Sequence, residues 1–341
     1  MQFGLFGAAT AQRGGPDVDS AAGFKDYIEY VIEAEAIGYH STFIDEHHFT
    51  GFGQVSATLN LLTWIGARTR LLRLGTAVIV LPWHNPVLLA EQAATIDLLS
   101  GGRLDFGVGK GYRHNEFASF RIPMEEAEAR FEEAVDLITK SWISNERFSF
   151  AGRFWQFEDI IVEPPTHQKP HPPFWQGAGH PDSIRRVAKR GHNLLVDQFC
   201  PIEVAGERVA IYKAEMERHG FDYHPSKAGV ARAFYVARDT ADKEAALERR
   251  LAAQRRLTAI SQRPDGQNTA SIMAFSDTRA ASEASAMYGS PDEIARKLEA
   301  LRDMGVEYVL LNGGGTSRDN LRRFAREVMP AFRTEPGHWA T

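Results

Sequence analysis

The chain has 341 residues, 43% of them hydrophobic and 24% charged, with a formal net charge of −5 and a pI near 6.2. No Lys/Arg run stands out, which excludes the electrostatic signature of a nucleic-acid or anionic-membrane binder. No apolar run approaches the ~18 residues needed to span a bilayer. The lone cysteine, Cys200, rules out an internal disulfide.

Met1–Phe6 lacks the charged and apolar regions of a signal peptide, so the expected compartment is the cytoplasm. Within it, Gln2–Phe6 reads as the first strand. Phe24–Ile37 follows with Phe24, Ile28, Val31 and Ile32 three or four residues apart, the spacing of a helix, and Gly38 is placed to end it. Ser41–Ile44 is the second strand. Leu72–Val80 is rich in β-branched residues and apolar on both faces, as a buried parallel strand should be. Pro86 opens a helix that runs through Leu99, because its fixed φ suits a first turn. Arg103–Val108 is the fourth strand, and the helix after it carries Ala127, Phe131, Ala134, Val135, Ile138 and Trp142 on one face. Arg147–Val162 reads as a β-hairpin around Ala151-Gly152. Strands at Phe174–Gln176, Asn193–Val196 and Gly229–Ala237 then alternate with helices from Asp182, Ile202 and Thr240. The last unit opens a helix with Ser290-Pro291-Asp292-Glu293, which combines a side-chain cap, a first-turn proline and acids matched to the helix dipole. That helix ends at Gly305, and Tyr308–Leu311 follows as a buried strand.

Eight strand-then-helix units predict one closed (β/α)8 TIM barrel spanning residues 1–341, in preference to an open doubly wound sheet. Residues 257–288 are rich in Ser, Ala and Gln with weak periodicity. They read as an inserted loop region, either a lid over the site or a poorly ordered excursion.

In such a barrel the chemistry sits at the C-terminal ends of the strands. After strand two come Asp45-Glu46-His47-His48-Phe49. The pair of histidines is open to three readings: solvated loop residues, a metal site, or an acid/base imidazole. No His/Cys spacing supports zinc, and adjacent histidines point apart on an extended chain. After strand three, small residues at Gly75–Val78 would let a flat ligand approach, or pack simply. Strand four ends in Gly107-Val108-Gly109-Lys110-Gly111, where the glycines allow close backbone approach and Lys110 adds a cation. Strand five ends in Gly177-Ala178-Gly179-His180-Pro181-Asp182-Ser183 before a helix. A helix N-terminus of this kind attracts anions, though Asp182 or Ser183 would also serve as an ordinary cap. Asn312-Gly313-Gly314-Gly315 is a similar turn after strand eight. Together these turns suit a planar, phosphorylated cofactor.

The stretch Glu46–Gly53 resembles the corresponding segment of the bacterial luciferase α chain, as do Leu74–Pro82 and His84–Gln92, while Asp97–Gly109 is typical of the wider luciferase-like flavin monooxygenase family. The resemblance is dense over residues 1–140, collinear through Pro173–Val196, and returns at Gly289–Leu311. It implies a (β/α)8 barrel, often a homodimer. It also implies reduced FMN delivered by a separate flavin reductase, and O2 activation through a flavin C4a-peroxide to oxygenate a small organic substrate. It places His47 at the catalytic acid/base and Ala77–Val78 at a non-proline cis peptide beside the flavin. It further matches Lys110, Arg130, the backbone at Gly179 and His180, and the Ser183 hydroxyl to ligands of the flavin phosphate. Two departures alter the pocket: the reactive cysteine of luciferase is Gly109 here, and the tryptophan lining its flavin site falls near Gln198. They put long-chain aldehyde chemistry and light emission in doubt. Two alternatives stand beside this reading: an F420-dependent hydride-transfer enzyme on the same barrel, and a non-catalytic flavin-binding protein.

Overall fold

In a computed structural model, described over residues 1–261, 266 and 278–332, strands and helices alternate along the chain. The first half contains β1 (Gln2–Phe6), α1 (Ala22–Ala36), β2 (Ser41–Ile44), α2 (Thr58–Arg68), β3 (Arg73–Thr76), β4 (Ile79–Val80), α3 (Pro86–Leu99), β5 (Leu104–Gly109), α4 (His114–Phe120) and α5 (Ala127–Ile143). A hairpin of β6 (Phe148–Ala151) and β7 (Gln156–Ile160) follows. Then come β8 (Phe174–Gly177), α6 (Pro181–Lys189), β9 (Asn193–Val196), α7 (Ile202–Arg218), β10 (Ala228–Val236) and α8 (Thr240–Ser261). The chain finishes with α9 (Arg279–Ser285), β11 (Met287–Gly289), α10 (Pro291–Asp303), β12 (Tyr308–Asn312) and α11 (Arg318–Glu327).

Eight parallel strands close the barrel in the order β1-β2-β3-β5-β8-β9-β10-β12, with β12 pairing back to β1. This is the expected (β/α)8 architecture. Closure leaves no barrel edge to aggregate. Ser290 and Glu293 form the expected reciprocal cap of α10, with Ser290 Oγ accepting from Glu293 N and Glu293 Oε2 from Ser290 N. Gly38, at φ 98°, ends α1 in a conformation that side chains avoid.

Four features depart from the sequence reading. The third strand is not continuous over Leu72–Val80. It splits into β3 and β4 around the cis peptide Ala77–Val78, and β4 pairs only with β5. Helix α2 is not among the expected elements, although Leu59, Leu62 and Ile65 carry a helical spacing and are buried. Helix α6 starts at Pro181 with His180 as its cap residue, so neither Asp182 nor Ser183 caps it. Of residues 257–288, 262–265 and 267–277 lie outside the described residues. The flanks are regular: 257–261 complete α8, and α9 leads into β11, which pairs with the last three residues of the long strand β10.

Side-chain alternation sends one set of strand residues into the barrel and the other toward the helices. Phe43, Trp175, Leu195, Tyr308 and Leu310 fill the interior. Phe43 meets Trp175 edge-on at 5.4 Å, and Trp175 meets Tyr308 at 5.9 Å. Burying a ring such as Phe43 stabilises the fold by roughly 3 kcal/mol. These large rings fit only because neighbouring strands supply glycines. A Cβ on Gly75 would lie 2.3 Å from the Phe43 ring, and one on Gly107 would lie 1.6 Å from the Thr76 carbonyl oxygen.

That packing predicts a sharp contrast in urea unfolding. Gly107→Ala should lose about 3 kcal/mol or more, because the obstacle is backbone. Gly15→Ala, whose Cβ would meet nothing within 4 Å, should change stability by less than about 0.5 kcal/mol. Equal stability of the two variants would contradict the close approach of β3 and β5.

Candidate functional site

The loop after β2 carries the densest set of ionisable side chains at the C-terminal mouth. It leaves the sheet through Asp45 and Glu46, turns at Phe49 (φ 57°), and comes back so that His47 N donates to Val55 O at 2.9 Å. The loop after β1 lies against it, with Thr10 bridged to Gln54.

Glu46 organises this end of the barrel. Its side chain is fully buried. Oε1 accepts from His48 Nε2 at 2.9 Å and from His84 Nε2 at 2.7 Å, while Oε2 accepts from Val80 N at 2.7 Å. Burial by itself would push this carboxyl up. The hydrogen bonds from His48 and His84, with the His84 charge and the Val80 N–H, outweigh it and hold the group below its ordinary value. One carboxylate thereby ties together the β2 loop, β4 and the turn before α3. The two histidines thus have separate tasks. His48 is a structural donor packed edge-on against Trp83 and Phe120.

His47 points elsewhere. Its Nδ1 lies 3.1 Å from Glu116 Oε1, and its Nε2 lies 3.8 Å from Asp45 Oδ2. Glu116 also accepts from His48 N at 2.8 Å, so it fixes both the backbone and the ring. Arg113 Nη1 stands 3.9 Å from the same carboxylate, and the Arg113 side chain is buried with Nε and Nη1 lacking hydrogen-bond partners. A carboxylate beside Nδ1 makes that nitrogen a donor and leaves Nε2 as the atom that can take or give a proton. Glu116 and Arg113 were not singled out from sequence. They sit on or beside the short helix α4, which has too few residues for a periodic signal. The Asn115–Glu116 pair seventy residues downstream gave no hint of His47.

Next to the β2 strand end, where Ala77 N donates to Ile44 O at 2.8 Å, the cis peptide Ala77–Val78 stands where expected. Ala77 and Val78 pack on the Phe43–Trp175–Leu195 core and form a small apolar platform with Phe6. A Cβ on Gly109 would lie 2.5 Å from Val78 Cγ2, so the Gly109 position has no room for a larger side chain. Lys110 pairs with Glu128 on α5, and Glu128 also pairs with Arg186 on α6 at 3.2 Å. Arg186 Nη2 donates to Ser183 Oγ at 3.2 Å. The structure therefore brings Lys110 to the α6 N-terminus, where Gly179, His180 and Ser183 lie. It adds Arg186, which the sequence reading did not name. Arg130 is engaged differently. It pairs with Glu126 at 2.8 Å and lies over the Phe154 ring at 4.4 Å, and among the described residues no bond ties it to the Lys110–Glu128–Arg186 chain. Gln198 offers its carbonyl to Arg250 at 3.3 Å. Among the described residues no group of three or more His, Cys, Asp or Glu is arranged to hold a metal ion, and no helix is long and apolar enough to cross a membrane.

A model of the luciferase-like monooxygenases matches residues 1–308. An FMNH2-dependent dimethylsulfone monooxygenase of Pseudomonas putida is 29% identical over 283 residues, covering 78% of this chain and 76% of that protein. An F420-dependent glucose-6-phosphate dehydrogenase of Amycolatopsis mediterranei is 25% identical over 95% of this chain and 97% of its own. Among solved structures, the monooxygenase RslO1 from Streptomyces bottropensis superimposes with a TM-score of 0.82 at 27% identity, covering 98% of this chain and all 100% of that one.

The Glu46 hub makes a testable statement about acid stability. Its carboxyl is depressed in the folded state, so its contribution is present above the unfolded-state value and is lost as pH falls through the folded one. Glu46→Gln should cost on the order of 3 kcal/mol at neutral pH, because the amide oxygen can replace Oε1 but its NH2 group would face the Val80 N–H and the negative charge is gone. The loss should shrink as pH falls below about 4. Urea unfolding of both proteins across that range measures it, and a constant difference would show that the carboxylate charge plays no part.

Proposed function

The chain belongs to the luciferase-like monooxygenase family, and from that premise we propose that it uses reduced FMN and O2 to oxygenate a small organic substrate. The observation that carries this reading is His47, held at Nδ1 by Glu116 beside the apolar platform of Ala77 and Val78.

The residues present fit a planar, phosphorylated group. The platform is flat and apolar, and the Gly107–Gly109 backbone behind it is close-packed. Lys110, Arg186, the Ser183 hydroxyl and the backbone N–H groups at the start of α6 would hold the phosphate. Glu128 pairs with both cations and holds them near each other. Arg130 would reinforce them by giving up Glu126. Reduced FMN, when bound, supplies the electrons that activate O2. His47 holds or moves a proton at Nε2. The Trp83, Phe117, Phe120 and Phe49 rings pack together against the neighbouring His48 and would limit water at the mouth. Reduced flavin would come from a separate flavin reductase, in keeping with the FMNH2-dependent relative. The likeness to an F420-dependent dehydrogenase supports hydride transfer as the second reading.

Stopped-flow mixing of the FMNH2-loaded protein with O2 separates these readings. We expect a transient absorbing species distinct from both reduced and oxidised FMN, with its lifetime changed tenfold or more in His47→Asn. Direct return to oxidised FMN with no transient would sink the oxygenation reading. Tight F420 binding with no FMN binding would establish the second. Lys110→Ala should weaken FMN by tenfold or more and leave riboflavin binding unchanged, because only FMN carries the phosphate.

We also propose a homodimer built on α2 and α3. Helix α3 is apolar around most of its circumference, the pattern of a helix covered on more than one side. Trp64, Leu71, Leu88 and Leu99 on or beside these adjacent helices are 58%, 83%, 56% and 69% exposed. Sedimentation should give twice the chain mass, reduced to the chain mass by Trp64→Glu with Leu88→Glu. A monomeric parent protein would exclude it.

A further inference from the structure

A second opening lies at the mouth, between the ends of β1, β2 and β12 and the first turns of α1. It is a cavity of about 320 Å³. Asp26, Asp45, Gln54, Tyr27 and Asn312 line it, and no described lining residue is Lys, Arg or His. Its two acids differ. Asp26 is neutralised locally, because Thr316 Oγ1 and Arg318 Nη1 both donate to it, and these two bonds hold its carboxyl below the ordinary value. Asp45 has no such cation. Among the described residues its buried Oδ1 has no hydrogen-bond partner, and its Oδ2 has His47 Nε2 at 3.8 Å. Gln54 adds a second buried acceptor oxygen that lacks a donor.

The Gly-rich turn after β12 does not offset this balance. Gly314 N donates to Asn312 Oδ1, Ser317 caps α11 through Asn320 N, and Asp26 already faces that helix start. Tyr27 is also committed, because its hydroxyl contacts Gly7 O and Thr42 Oγ1, each at 3.2 Å. Burial keeps this phenol protonated. The cavity therefore meets the partly accessible Asp45 carboxylate, with Asp45 Oδ1 and Gln54 Oε1 buried behind it without donors and no fixed cation among the described lining residues. A buried acceptor left without a donor costs about 1–3 kcal/mol, and a group that donates hydrogen bonds and carries positive charge removes that cost.

We infer that this cavity is the substrate subsite and that it selects a cationic nitrogen group, with Asp45 as its counter-ion. The inference rests on the reading of the mouth as the oxygenation site, since Asp45 reaches from the cavity to His47. A substrate anchored there presents its reacting end toward the imidazole.

The probes are benzylamine and its neutral isostere, benzyl alcohol, titrated calorimetrically with and without FMN at about pH 8, where imidazole is neutral and the amine charged. Benzylamine should bind at least tenfold more tightly than the alcohol. Asp45→Asn should abolish that preference, and Gln54→Lys, which supplies an ammonium from within, should weaken benzylamine tenfold or more. Equal binding of the two probes, binding of neither, or a preference that survives both substitutions would overturn the inference. FMN fluorescence in the same titrations is scored apart. A protein that holds FMN yet does not distinguish the probes defeats this inference alone, whereas one that holds no FMN defeats the flavin reading.

Discussion

The mouth of this barrel depends on one buried carboxylate. Glu46 receives three hydrogen bonds from three separate segments, His48 in its own loop, the Val80 amide and the His84 ring. A lone carboxylate in such a place would be costly, and its donors make the charged form the stable one. The consequence is geometric. With Glu46 fixed, the strand end that carries His47 is held against β4 and against the turn leading into α3. The cis peptide at Ala77–Val78 lies between these tied points.

From that anchor the ionisable groups divide into three sets. Glu46, His48 and His84 form one network, in which both imidazoles donate through Nε2 to the same carboxylate oxygen. His47, Glu116 and Asp45 form a second set in which one imidazole nitrogen is fixed and the other is not. Lys110, Glu128 and Arg186 form a third, exposed set across the barrel. On the proposed reading, the second set handles a proton and the third holds the anionic tail of the cofactor. Asp45, whose Oδ1 has no hydrogen-bond partner among the described residues, lines the cavity proposed for the substrate.

The scaffold makes such positioning rigid. Phe43, Trp175 and Tyr308 fill the barrel beneath the mouth; Gly75 makes room for the Phe43 ring, and Gly107 lets β5 approach the β3 backbone at Thr76. The loops therefore stand on a filled core rather than an open channel, and small shifts there carry a packing cost. The short helix α4 adds a wall. It delivers Glu116 to His47 on one side and Phe117 and Phe120 to the aromatic cluster on the other.

The sequence by itself determined the barrel, because strand-and-helix periodicity is local and repeats eight times. It also marked the ends of strands where chemistry collects, located the cis peptide through resemblance to a known family, and drew attention to His47, Lys110 and the Gly-rich turn before α6. It left two element boundaries and one cation unread. Helix α6 begins one residue before the expected Asp182, because His180 and Pro181 set its start without a side-chain cap. The third strand breaks at the cis bond, which no pattern of β-branched residues reveals. Arg130 pairs with Glu126 and Phe154, while Arg186, not singled out, joins Lys110 through Glu128. Only the tertiary structure decided which of two adjacent histidines is structural and which is free to act. That choice depends on Glu46, Glu116 and Asp45, and on distances between residues tens of positions apart, which a one-dimensional pattern does not carry.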